Sequence, residues 1–124
     1  MQSDPHDELT PAQRSAVEHI DGPLLILAGP GSGKTRVVTH RIAHLVAQGI
    51  SPRQIVALTF TNKAADEMRD RATALLPSVD GLQLCTFHRF CVRILREHAP
   101  LLGLSESFTI YDTDDSKRML RHVL

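Results

Sequence analysis

Two cysteines, Cys85 and Cys91, are all that the 124 residues carry. That is too few for a disulfide framework and suits a reducing compartment. No apolar run approaches the length of a membrane span, and the longest is the short stretch Leu24–Ala28. Residues Met1–Leu9 are polar and acidic, without the basic start and apolar region of a secretory signal. A cytoplasmic protein with no membrane partner is the expectation. Neither sign of charge dominates, because 14 Lys plus Arg balance 14 Asp plus Glu. No global field therefore draws the chain to nucleic acid, and a local basic groove is left open. Internal repeats, low-complexity segments and flexible linkers are missing as well. What is present is apolar material, 42% of the chain, which is enough for a modest core in one domain or part of one.

Residues 1–8, with Pro5, read as a loose tail. Thr10-Pro11-Ala12-Gln13 reads as a helix start: Thr10 as N-cap, Pro11 in the first turn, and Gln13 as the third residue of a capping box. This helix is expected to run to about Ile20, and Asp21-Gly22-Pro23 to turn the chain. Leu24–Ala28 has the length and composition of a buried parallel strand. A glycine-rich loop follows, then a helix with Val38, Ile42, Leu45 and Val46 on one face and Gly49 at its end. Ile55–Phe60 reads as a second buried strand. The next helix carries Ala64, Ala65, Met68, Ala72, Leu75 and Leu76, with Asp66 and Glu67 suited to its early turns. Leu82–Thr86 is a short third strand. A helix with the apolar face Phe87, Phe90, Cys91, Ile94 and Leu95 stops before Pro100, and Asp112 caps a last helix with Met119, Leu120 and Val123. A helix followed by three strand–helix units predicts an α/β fold with a parallel sheet flanked by helices.

The strongest chemical signal is LLILAGPGSGKT, Leu24–Thr35. It matches the phosphate-loop pattern of a P-loop NTPase, with Ala28 where the first glycine is usual. Glycines let the backbone curl so that successive N–H groups point at phosphate oxygens. The helix that starts near Gly33 adds its positive end. Lys34 supplies a point charge for the β- and γ-phosphates, and Thr35 a hydroxyl for Mg²⁺. A plain glycine-rich turn is the alternative, but the loop has a strand-like segment before it and an amphipathic helix after it. A GTPase would carry N-K-x-D. Asn62-Lys63-Ala64-Ala65-Asp66 places the acid one residue too late and too early in the chain.

Four segments together resemble one family, the UvrD/Rep-like superfamily 1 DNA helicases. LTPAQRSAV (Leu9–Val17) resembles the family's Q motif, and AGPGSGKTRVVTHRIAHLV (Ala28–Val46) its motif I. LTFTNKAADEMRDR (Leu58–Arg71) resembles motif Ia, and CTFHRFCVRILREHAPLLGL (Cys85–Leu104) the T-x-H region. FTIYDTDD (Phe108–Asp115) is similar to the stretch that commonly follows. The resemblance implies that residues 9–111 form the first part of a RecA-like ATP-binding domain, incomplete on its C-terminal side, and that residues 112–124 start a helical insertion. It implies ATP and Mg²⁺ as ligands, held by Gln13 at the adenine edge and by Ala28, Gly29, Pro30, Gly31, Ser32, Gly33, Lys34 and Thr35 at the phosphates. Arg36 would lie near the base, where a planar guanidinium can stack. Phe60, Thr61, Asn62 and Lys63 would face single-stranded DNA, with Thr86 and His88 near it. Remaining helicase domains and duplex junctions are the implied partners. Each role has a plainer alternative: the capping box for Gln13, a solvated helix position for Arg36, core for Phe60, an N-cap for Thr61 or Asn62, and a structural His88.

Cys85, His88 and Cys91 have metal-like spacing, but they are three ligands where a closed zinc site wants four, and Cys91 fits the apolar face of its helix. Asp112, Asp114 and Asp115 lack the glycine and the terminal glutamate of a calcium loop. No acidic pair follows an apolar strand, so the carboxylates that would bind Mg²⁺ and activate water are not found in the chain. The arginine fingers of a second RecA-like domain are not found either, and they carry several orders of magnitude in rate. The expectation is an ATP-dependent DNA helicase, acting in DNA repair or replication, whose isolated segment does not turn ATP over efficiently. The alternative is a non-catalytic remnant that binds nucleotide or DNA.

Overall fold

A computed structural model describes residues 9–124; the expected tail, residues 1–8, lies outside them. The chain forms two compact units, one ending at Phe87 and one beginning at His88.

The first unit starts with helix α1, Pro11–Glu18, and its capping box forms as the sequence predicts. The Thr10 hydroxyl accepts the Gln13 N–H at 3.2 Å, and the Gln13 carboxamide oxygen accepts the Thr10 N–H at 3.0 Å. Helix α2 spans Lys34–Ala47. It ends in a paired-bond motif: the Gly49 N–H donates to the Val46 carbonyl and the Ile50 N–H to the Leu45 carbonyl. Gly49 has φ +92 there, which a side-chain-free residue takes without strain. Strand β1, Val56–Thr59, leads into helix α3, Asn62–Leu75, capped by the Thr61 hydroxyl on the Ala64 N–H at 3.1 Å. Strand β2, Gln83–Thr86, lies parallel to β1 in the register Val56↔Gln83 to Thr59↔Thr86. α3 is the crossover that parallel neighbours require. Its Arg69 guanidinium donates to the Leu84 carbonyl and so pins helix to strand.

Two apolar clusters hold this unit together. The larger joins Ile42 of α2, Ile55 and Ala57 of β1 and its approach, Ala65, Met68, Ala72 and Leu76 around α3, and Leu84 of β2. The smaller joins Leu9, Val17 of α1 and Val37 of α2. α2 therefore contributes to both.

One expectation is overturned. Leu24–Ala28 is not a strand, and the sheet among the described residues has two strands, not three. Leu25 and Leu27 are 81% and 87% exposed. A strand exists only through a ladder to a neighbour, and this segment pairs with neither outer edge of the two-stranded sheet. The apolar run supplies the side chains of a buried strand without the backbone partners.

The second unit contains most of helix α4, Phe87–Glu97, and helix α5, Thr113–Val123. Asp112 and Asp115 make the capping box of α5, with the Asp115 N–H 2.7 Å from the Asp112 carboxylate. Arg96 lies over the Phe108 ring, 5.6 Å from its centroid. Neither helix has a buried residue. The expected apolar face of α4 is present in sequence but uncovered, and Cys91, expected in the core, is exposed, while Cys85 is buried. Among the described residues no helix is long and apolar enough to cross a membrane.

Burial separates two leucines that composition alone treats alike. Leu84 is 2% exposed and Leu25 is 81% exposed. Leu84→Ala is expected to cost about 2–5 kcal/mol in urea denaturation, and Leu25→Ala less than about 0.5 kcal/mol.

Candidate functional site

The loop between Ala28 and α2 is built from turn chemistry. The Ser32 N–H bonds the Gly29 carbonyl at 3.3 Å, and the Ser32 hydroxyl donates to the same oxygen. Gly31 and Gly33 have φ +73 and +79, a region that residues with a Cβ enter only at a cost. Gly33 is the N-cap of α2 and makes no side-chain cap bond. The first turn therefore has no side-chain cap, at the positive end of a helix of 14 residues. Lys34 is exposed there, and Thr35 and Arg36 are half-buried. The same turn is braced from behind. The Thr39 hydroxyl lies 3.1 and 3.0 Å from the Thr35 and Arg36 carbonyls, and His40 Nδ1 lies 2.8 Å from the Arg36 carbonyl.

Gln13 reaches this loop from α1. Its Nε2 donates to the Ser32 carbonyl at 3.0 Å while its Oε1 stays in the capping box. A carboxamide has two N–H donors and two acceptor lone pairs, so each bond leaves one further donor and one further acceptor. The approach is close: a Cβ on Gly33 would lie 3.0 Å from Gln13 Nε2.

α1, the extended segment and the loop border a half-open cavity of about 430 Å³. Gln13, Ala28, Gly29, Ser32 and Lys34, all expected at the site, line it. Pro30, Gly31, Gly33, Thr35 and Arg36 belong to the same loop and first turn but do not line the cavity. The sequence reading missed its other walls: Thr10, Ala12, Ala16, Ile26, Leu27 and Val37. They are mostly apolar, with Thr10 the polar exception. For Ala12 and Ala16 the signal is their place on the side of α1 that carries Gln13; Ile26, Leu27 and Val37 lie outside that helix.

The second group of expected residues gathers where the parallel strands end. Thr59 and Thr86 are in register and buried. The residues after them, Phe60 and Phe87, bring their rings to 5.4 Å between centroids at an interplanar angle of 32°. Phe60 is 88% exposed and Phe87 44% exposed, so Phe60 is not a core residue. Thr61 is the N-cap of α3, so its plainer role holds, and Asn62 and Lys63 sit exposed on the first turn. Phe87 was assigned only to a helix face. The repeated Thr-Phe at both strand ends was the clue to its pairing with Phe60. His88 lies in the second unit, exposed on α4. Among the described residues no three His, Cys, Asp or Glu side chains are placed to hold a metal ion.

The UvrD/REP helicase N-terminal domain matches residues 9–124. The chain is 49% identical over 118 residues to the ATP-dependent DNA helicase PcrA of Bacillus subtilis, a match covering 94% of this chain and 16% of that protein. It is 54% identical over 120 residues to the ATP-dependent DNA helicase UvrD1 of Mycobacterium tuberculosis, with the same coverage. PcrA of Staphylococcus aureus is 49% identical over 114 residues, 90% of this chain and 16% of its own length. The chain thus spans about a sixth of the relatives it matches. A domain match over nearly every residue, at about half identity to named helicases, makes this chain a member of the UvrD/REP helicase N-terminal domain family.

Proposed function

We propose that this chain is the ATP-binding segment of an ATP-dependent DNA helicase, with the RecA-like P-loop fold its family implies. The observation that carries the proposal is Gln13 on the phosphate loop: one side chain joins α1 to the glycine-rich turn at the wall of a cavity of about 430 Å³. A loop with two left-handed glycines and a helix N-terminus without a side-chain cap suits a triphosphate. The spare donor and acceptor of Gln13 suit the N6 and N7 edge of adenine. Gly29 to Gly33 would wrap the phosphates, Lys34 would bear on their β- and γ-oxygens, and Arg36 would lie near the base. Mg²⁺ would arrive with the nucleotide, held by the Thr35 hydroxyl and phosphate oxygens, and it supplies positive charge against the phosphates.

The same reading assigns Phe60, Thr61, Asn62 and Lys63 to single-stranded DNA. Support comes from their place at the carboxyl ends of parallel strands, where α/β folds bind ligands, and from the exposed Phe60 ring, which offers a stacking face to any base. Thr86 would act through the strand end it forms, and His88 is proposed as a separate contact on its own unit. In the complete helicase, ATP-driven closure against a second RecA-like domain would alter the grip on single-stranded DNA and drive translocation and unwinding at duplex junctions. No residue of this chain supplies the water-activating acid or an arginine finger. We propose that it holds ATP without efficient turnover.

Calorimetric titration of Mg·ATP into the chain tests the nucleotide site. Saturable binding is expected, and Lys34→Ala should weaken it at least about tenfold, as loss of a charge-assisted contact does. Heat of equal size from both proteins would place ATP elsewhere; no binding by either would favour a non-catalytic remnant. For DNA, Phe60→Ala should weaken binding of a labelled oligo-dT, followed by anisotropy, by about 5- to 100-fold if one base stacks on the ring. An unchanged affinity would remove Phe60 from the interface.

A further inference from the structure

α1 is only eight residues long, too short to be stable by itself. Its N-terminal end is fastened twice, by the capping box and by the Gln13 bond to Ser32. Its C-terminal end has no basic residue of its own in the last turn, and the last carbonyls of any helix need partners from outside it. Arg41 supplies one. From α2, 25 residues along the chain, its Nη1 donates to the Ala16 carbonyl at 2.7 Å. The bond is charge-assisted, and it sets a cation against the negative end of α1. Beside it, Val17 of α1, 0% exposed, packs with Val37 of α2.

Gln13 sits one turn before Ala16 on this helix. We propose that Arg41 is a positioning residue for base recognition: it locks α1 onto α2 and so sets where the Gln13 carboxamide stands relative to the phosphate loop. Arg41 itself does not line the cavity. Its effect falls on ligands that use α1 and spares ligands that use only the loop. The inference rests on the reading of the cavity as an ATP site.

The test compares Mg·ATP with Mg·tripolyphosphate in calorimetric titrations of the full chain, wild type and Arg41→Met, which keeps most of the aliphatic stem. Wild type should prefer ATP. In R41M, ATP affinity should fall about tenfold, the scale of a lost hydrogen bond to a charged group, while tripolyphosphate binding stays within about twofold. Arg41→Lys, which keeps the charge without the fork, should restore part of the ATP preference. Circular dichroism checks the fold of each variant, and R41K carries the test if R41M is unfolded. An unchanged ratio of the two affinities in the folded variants, or an equal loss of both, would overturn the positioning role. A wild-type chain that binds tripolyphosphate as tightly as ATP would instead overturn the reading of the base site itself.

Discussion

The phosphate loop depends on one helix being buried on two sides. Val37, near the start of α2, belongs to the cluster with Leu9 and Val17, while Ile42, further along, belongs to the core under the sheet. A helix gripped on one face alone can roll; gripped on two, it fixes the direction of its first turn. That matters because the loop holds Gly31 and Gly33 in left-handed conformations and turns on one carbonyl, Gly29. The Thr39 and His40 side chains, folded back onto the Thr35 and Arg36 carbonyls, stiffen the turn that follows. The N–H groups and Lys34 that would meet phosphates therefore stand on a supported platform.

α1 is the second part of the same device. It cannot hold itself in place, being two turns long, so α2 and the loop hold it: Val17 against Val37, Arg41 on Ala16, Gln13 on Ser32. Gln13 is at once an element of helix capping and a bridge to the loop. The two roles do not compete, because its oxygen serves one and its nitrogen the other. The Phe60–Phe87 pair follows from sheet geometry in the same way. Parallel register puts Thr59 beside Thr86, and this alone brings Phe60 and Phe87 together.

Local chemistry was legible in the sequence, and pairing across the chain was not. Thr10 with Gln13, Asp112 as a helix cap and the glycines of the loop act within a few residues, and each is seen where the sequence predicts it; of Thr61 and Asn62, the structure picks Thr61 as the cap of α3. The membership of Ala65, Met68 and Ala72 in the core followed from helical periodicity. Leu24–Ala28 failed as a strand because an apolar run announces which side chains can be buried, not whether a backbone neighbour is at hand. The exposed α4 face and Cys91 failed for the same reason: amphipathic spacing shows that a helix has an apolar side without naming what covers it. Phe60 shows the reverse case, where an aromatic at a strand end reads as core but stands 88% exposed. The Arg41 bond to Ala16 left no trace in any motif, since it joins positions 25 apart through one side chain.

The central claim is that α1, the phosphate loop and α2 respond to a ligand as one body. Hydrogen–deuterium exchange of the chain with and without saturating Mg·ATP addresses it most directly. Protection is predicted to appear in residues 11–18 as well as in 29–37, because the base would meet Gln13 on α1 while the phosphates meet the loop, and the Gln13 bond to Ser32 joins the two. Protection confined to residues 29–37, with exchange in residues 11–18 unchanged, would contradict the account.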